Sequence, residues 1–224
     1  MPTRSFLPAL ALGLALVVAA CGASSSATSS SSRAASAIVS AAATSTTSSA
    51  AESPAASPAS STGAVACTSP ATPTMAETEG PYYKAGAPEN ADLVQAGMAG
   101  TPLALTGYVV SADCTPLANA RVEIWQADSA GNYDNSGYTL RGYVLTDAAG
   151  RFSIRTIVPG EYPGRTEHIH VKITPDGGST LTTQVYFPGT TANDADGIYD
   201  PSLLLTMSGG ASDLAGTYTF VIGG

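Results

Sequence analysis

His168-Ile169-His170-Val171-Lys172-Ile173 alternates polar and apolar residues without a break. Side chains along a strand point to opposite faces at each step, so a period of two marks a strand with one face on a core. Ile169, Val171 and Ile173 therefore enter that core together, and His168 and His170 project side by side from the other face. These are the only two histidines of the chain. Such a pair suits two ligands of one metal, because neutral imidazole is the commonest metal-binding side chain. Two surface polar residues would have the same spacing.

Outward from this strand, short β-prone runs recur over residues 103–111, 121–127, 141–146, 151–157, 181–187 and 217–222. Turn chemistry separates them, as in Ser129-Ala130-Gly131-Asn132, Asp147-Ala148-Ala149-Gly150, Pro159-Gly160 and Pro175-Asp176-Gly177-Gly178. No long stretch has a period of 3.6, although residues 200–207 allow a short helical turn, and no internal repeat is visible. The pattern predicts an all-β domain over residues 64–224, an antiparallel β-sandwich with long loops.

The first 63 residues read differently. Arg4 followed by the apolar run 6–20 is too short for a comfortable membrane span and reads as an export signal over residues 1–20. Its end, Val18-Ala19-Ala20-Cys21, resembles the lipobox of bacterial lipoproteins, which implies cleavage before Cys21 and a lipid on its sulfur. Residues 21–63 are nearly all Ser, Ala and Thr and cannot bury enough apolar surface to order themselves, so they read as a tether. The expected location is extracytoplasmic, with the membrane reached through the anchor. Nine basic against seventeen acidic residues give a net charge of −8. With no basic cluster, the chain offers nothing to nucleic acid or to an anionic membrane surface. If Cys21 carries lipid, Cys67 and Cys114 remain as a pair for an oxidising compartment. A disulfide between them would close a loop worth roughly 4 kcal/mol in the chain-entropy model; free thiols or thiol ligands are the other readings.

The segment Tyr162-Pro163-Gly164-Arg165-Thr166-Glu167-His168-Ile169-His170 resembles the iron-binding stretch of the intradiol ring-cleavage dioxygenases, in particular the short secreted type related to the protocatechuate 3,4-dioxygenase beta chain. Further motifs follow the family's order. Thr78-Glu79-Gly80-Pro81-Tyr82-Tyr83 is similar to its amino-terminal segment. Arg121-Val122-Glu123-Ile124-Trp125 with Gly131-Asn132-Tyr133 resembles the strand and turn that deliver a tyrosine ligand. Arg141-Gly142-Tyr143, Gly150-Arg151-Phe152 and Thr183-Gln184-Val185 complete the likeness, which runs from about Cys67 to Phe187.

The resemblance implies a mononuclear non-haem Fe(III) held by Tyr133, Tyr162, His168 and His170. It implies a catechol and O2 as substrates, with cleavage between the two hydroxylated carbons. Tyr162 would leave the metal and take up a substrate proton, Arg165 would stabilise negative charge, and Gln184 would hydrogen-bond near the iron. Pro81 and Tyr82 would line the pocket mouth. The chain departs from the family at Glu161, where many short relatives have an aromatic residue, and at Asp134, where serine is frequent. Two other readings compete: a non-catalytic transthyretin-like β-sandwich binding module, suggested by residues 107–124, and a zinc hydrolase built on H-x-H, which lacks a third ligand at motif spacing.

Overall fold

In the computed structural model, residue 65 and residues 67–223 are described. The export run, Cys21 and the tether lie outside them. Eight strands occur among the described residues: β1 (Pro102–Ser111), β2 (Arg121–Trp125), β3 (Arg141–Leu145), β4 (Arg151–Ile157), β5 (His168–Thr174), β6 (Leu181–Tyr186), β7 (Thr206–Ser208) and β8 (Ala215–Ile222). They form two four-stranded sheets, ordered β4-β1-β8-β7 and β3-β2-β5-β6. Together these make the expected all-β sandwich.

Alternation explains how the sheets meet. Leu105 and Val109 of β1, Phe152 and Ile154 of β4 and Phe220 of β8 share one core with Val122 and Ile124 of β2 and Ile169, Val171 and Ile173 of β5. The three β5 residues are fully buried, as the period of two requires. Fully burying an aliphatic side chain contributes roughly 1.5–3 kcal/mol, so this row alone fixes which face of β5 turns inward.

Two features depart from the sequence reading, the parallel pairing and an extra 3-10 helix, while the short helical turn after residue 200 follows it. The pairing of β1 with β8 is parallel, in register from Ala104↔Ala215 to Ser111↔Ile222, whereas all others between strands are antiparallel. Residues 200–207 hold only the short 3-10 helix Pro201–Leu203, capped by the Asp200 side chain, before β7 begins. A second 3-10 helix, Thr191–Ala195, was not anticipated. Cys67 and Cys114 form a disulfide with Cα atoms 5.8 Å apart, tying the start of the described chain to the turn after β1.

The outer face of the second sheet is not left to solvent. Backbone bonds run from Glu77 N to Thr182 O, from Tyr143 N to Pro88 O and from Asn90 N to Tyr143 O. They lay residues 77–90 across β6 and β3. Tyr83 meets Trp125 edge-on at 4.9 Å between ring centroids. Lys172 of β5 pairs with Glu79 and sits over the Tyr83 ring. The outward residues of β5 are thereby covered on both sides.

Candidate metal centre and active site

His168 and His170 are only 2% and 1% exposed, which removes the reading of surface polar residues. Register places His170 opposite Trp125 of β2 and Gln184 of β6, with Arg141 of β3 beyond Trp125. One row across the outer face is therefore Arg141–Trp125–His170–Gln184. The His170 ring stacks flat on Trp125, 4.8 Å and 5° apart. Gly80 passes directly above it: a Cβ there would lie 3.3 Å from His170 Cε1, and the residue has φ +70°. A side chain there would be strained in its backbone and would crowd the ring, which accounts for the glycine of Thr78-Glu79-Gly80.

His168 is oriented from behind. Its Nδ1 lies 2.6 Å from the Thr166 carbonyl, an acceptor, so Nδ1 carries the proton and Nε2 presents its lone pair. Tyr133 Oη and Tyr162 Oη both lie 3.5 Å from that Nε2. The two tyrosines arrive on separate loops. Tyr133 follows the turn in which Asp128 Oδ1 accepts from Ala130 N and Asn132 N. Gly131 in this turn has φ +82°, and a Cβ there would lie 2.2 Å from Glu161 O. The missing side chain lets the two tyrosine loops touch. Asp134 then accepts from the backbone of Ser136, Gly137 and Thr139, which holds its carboxyl well below the usual range. Here the departure at Asp134 closes a turn. Arg141 joins this loop to the covering arm, donating to Asp134 O and Tyr82 O.

Arg165 is no surface residue either. Its Nε donates to Asp196 Oδ2 at 2.9 Å, Nη2 to Gln184 Oε1 at 2.5 Å, and Nη1 faces Tyr162 Oη at 3.4 Å. Asp196 also accepts from Thr166 N, so one carboxylate fixes both the arginine and the turn entering β5. Burial works against the Arg165 charge, but the bond to Asp196 and the nearby Tyr162 outweigh it. Gln184 is held at its other end by donating to Thr78 O. Tyr82 stacks on Tyr133 at 4.4 Å, and exposed Pro81 lies beside it on a cavity shared with Lys84.

The donor set fits a trivalent metal. Donors sharing one first-row metal at bond lengths of roughly 2 Å lie about 3–3.5 Å apart, which the two tyrosine–His168 separations match. Burial, followed by the Arg165 charge, depresses His168 to about 4, and burial and the His168 ring hold His170 well below its ordinary value, so both rings are neutral at neutral pH and open to a metal. Burial raises both phenols, so without a cation Tyr133 and Tyr162 keep their protons. Ionised, they offset most of a hard 3+ charge. Among the described residues no group of three His, Cys, Asp or Glu is placed to hold a metal, so any metal here depends on tyrosine oxygens. That weighs against a zinc hydrolase. Buried side-chain atoms without a protein partner are, among the described residues, Trp125 Nε1, Arg141 Nη2 and His170 Nδ1, all in the one row. Orphaned polar atoms gathered at one place mark a site rather than a packing defect.

Asp196, Thr166 and the arginine of β3 escaped the sequence reading. Arg141 stood in a quoted motif, but nothing showed that it spans two loops. Asp196 lies beyond the last motif, in a stretch that looks like ordinary turn.

A family model described as Dioxygenase matches residues 78–213. Catechol 1,2-dioxygenase from Acinetobacter baylyi is 33% identical over 140 residues, covering 50% of this chain and 45% of that protein. The protocatechuate 3,4-dioxygenase beta chain of Burkholderia cepacia is 37% identical over 108 residues, 40% of this chain and 46% of the relative. The chain thus spans about half the length of the curated relatives it matches. Among solved structures, the dioxygenase domain of a dioxygenase–carbohydrate-binding protein fusion from Streptomyces sp. SirexAA-E is 45% identical with a TM-score of 0.65, covering 67% of this chain and 98% of that one. The site lies within the matched residues, and on these grounds the chain belongs to the intradiol ring-cleavage dioxygenase family.

Proposed function

We propose that the protein is an Fe(III)-dependent dioxygenase that opens a catechol between its two hydroxylated carbons, placing both atoms of O2 in a muconate-type product. The observation that carries this is the meeting of two phenol oxygens at the free Nε2 of a buried, backbone-oriented histidine, with a clamped arginine alongside. Bound ferric iron would draw electron density from a catecholate and make ring carbon reactive towards O2; Tyr133, Tyr162, His168 and His170 would hold it.

The chain's own residues do the rest. Tyr162, half-buried and facing Arg165, receives a proton from the entering catechol at its Oη. Arg165 keeps its cation beside the negative charge that grows on the ring, and its three partners hold it there before substrate arrives. Gln184 fixes Nη2 and anchors the arm that shields the site from water. Tyr82 narrows the entrance by stacking on Tyr133.

The proposal includes export and lipid attachment at Cys21. The Cys67–Cys114 disulfide supports an oxidising compartment. Oxygen uptake by the iron-loaded protein with catechol, followed by mass analysis of product made under 18O2, tests the reaction. Equimolar uptake and two labelled oxygens are expected; uptake without ring-opened product would overturn it.

A further inference from the structure

Beside the candidate centre lies a cavity of about 440 Å3 whose lining includes Tyr162, Arg165, Asp196 and Glu161. Its charge can be counted. Arg165 is the one cation lining it among the described residues, and its Nε is bonded to Asp196, so the pair adds no net charge to the wall. Glu161 remains, leaving the wall net negative. Its position is set twice. The Glu161 backbone lies against Gly131, where any Cβ would clash with its carbonyl oxygen. Its Oε1 accepts from Thr190 Oγ1 at 3.1 Å, at the cap of the 3-10 helix Thr191–Ala195.

On the other side of Tyr82, the cation that lines the second cavity is also occupied. Lys84 Nζ donates to Ser136 O at 2.5 Å and Gly137 O at 3.2 Å and sits 4.4 Å from the centre of the Tyr138 ring. No uncommitted cation therefore lines either cavity among the described residues. A cavity of this volume is roughly 9 Å across, about one Debye length at physiological salt. An acidic ring substituent inside it comes within range of the exposed Glu161 carboxylate, a repulsion that salt can modulate.

We infer that this site selects catechols without an acidic ring substituent, and that Glu161 is the residue that turns the acidic ones away. The inference rests on the catechol-cleaving reading above. It places Glu161 in discrimination between substrates and leaves the ring-opening step to the residues already named.

The test is an anaerobic titration of the iron-loaded protein, reading dissociation constants from the visible band. Catechol, 3,4-dihydroxybenzoate and its neutral amide, 3,4-dihydroxybenzamide, are the three probes. The amide matches the acid in size, so the pair isolates charge. The amide should bind like catechol and the acid roughly tenfold more weakly, with the gap shrinking as salt rises. Glu161→Gln should remove most of the gap by tightening the acid alone. Thr190→Val, which removes the hydrogen bond and keeps the carboxylate, should preserve it. Equal binding of acid and amide, or a gap that survives Glu161→Gln, overturns the inference. A band that no catechol shifts overturns the underlying reading instead.

Discussion

The two sheets of the sandwich are built from the same alternation, yet their outer faces have opposite fates. On β4-β1-β8-β7 the outward residues meet solvent: Ala104, Ser153 and Arg155 are exposed, and Arg155 makes only an open ion pair with Asp92. On β3-β2-β5-β6 the outward residues Arg141, Trp125, His168, His170 and Gln184 are almost wholly buried beneath the arm of residues 77–90. Burying polar side chains costs several kcal/mol unless each finds a partner. A fold spending that much on one face, and leaving three atoms unpartnered there, is paying for something other than stability. The inner face holds the protein together; the covered outer face is where the chemistry is expected.

Substitutions can break this comparison. The largest effect is expected from His170→Ala, which should abolish iron binding and lower turnover by more than about a hundredfold, a greater loss than second-layer changes at metal sites produce. Its folding stability should fall less than in Ile169→Ala, because loss of the ring stacked on Trp125 is partly offset by removing a buried nitrogen without a partner. Metal analysis and urea unfolding on the same sample check both halves. One residue away on the inward face, Ile169→Ala should do the reverse. It should cost about 2–5 kcal/mol of stability while the folded fraction, measured at low temperature, still binds iron.

Asp196→Asn sharpens the middle ground. The amide keeps the shape but not the charge that anchors Arg165 Nε. Turnover should fall about tenfold with metal content unchanged, and the pattern expected is a lower kcat rather than a raised iron requirement. The smallest effect belongs to the solvent face of the first sheet. Arg155→Ala breaks a pair whose side chains are 51% and 56% exposed, so stability should change by less than about 1 kcal/mol and activity not at all.

The fold is legible in the sequence where the physics is local. Strand limits follow from the period of two and the turn residues, and β5 is read from its alternation alone. The parallel β1–β8 pairing is not legible, because alternation says which face is buried but not in which direction a distant strand runs. The three residues of β7 are too few to show a period. The site divides along the same line. The H-x-H geometry is visible from spacing, whereas Tyr133 and Tyr162 are singled out among ten tyrosines only by resemblance. That both phenols converge on one nitrogen depends on Gly131 permitting a contact between residues thirty positions apart, and Asp196 gains its role only through tertiary contact.

The central claim, that Tyr133, Tyr162, His168 and His170 form one ferric centre on the covered face, is tested most directly by the visible absorption spectrum of iron-reconstituted protein. A tyrosinate-to-iron band is predicted, giving a reddish solution that shifts on addition of catechol and weakens in Tyr162→Phe. Protein that binds stoichiometric iron and remains colourless, or whose band is untouched by Tyr162→Phe, would contradict the account.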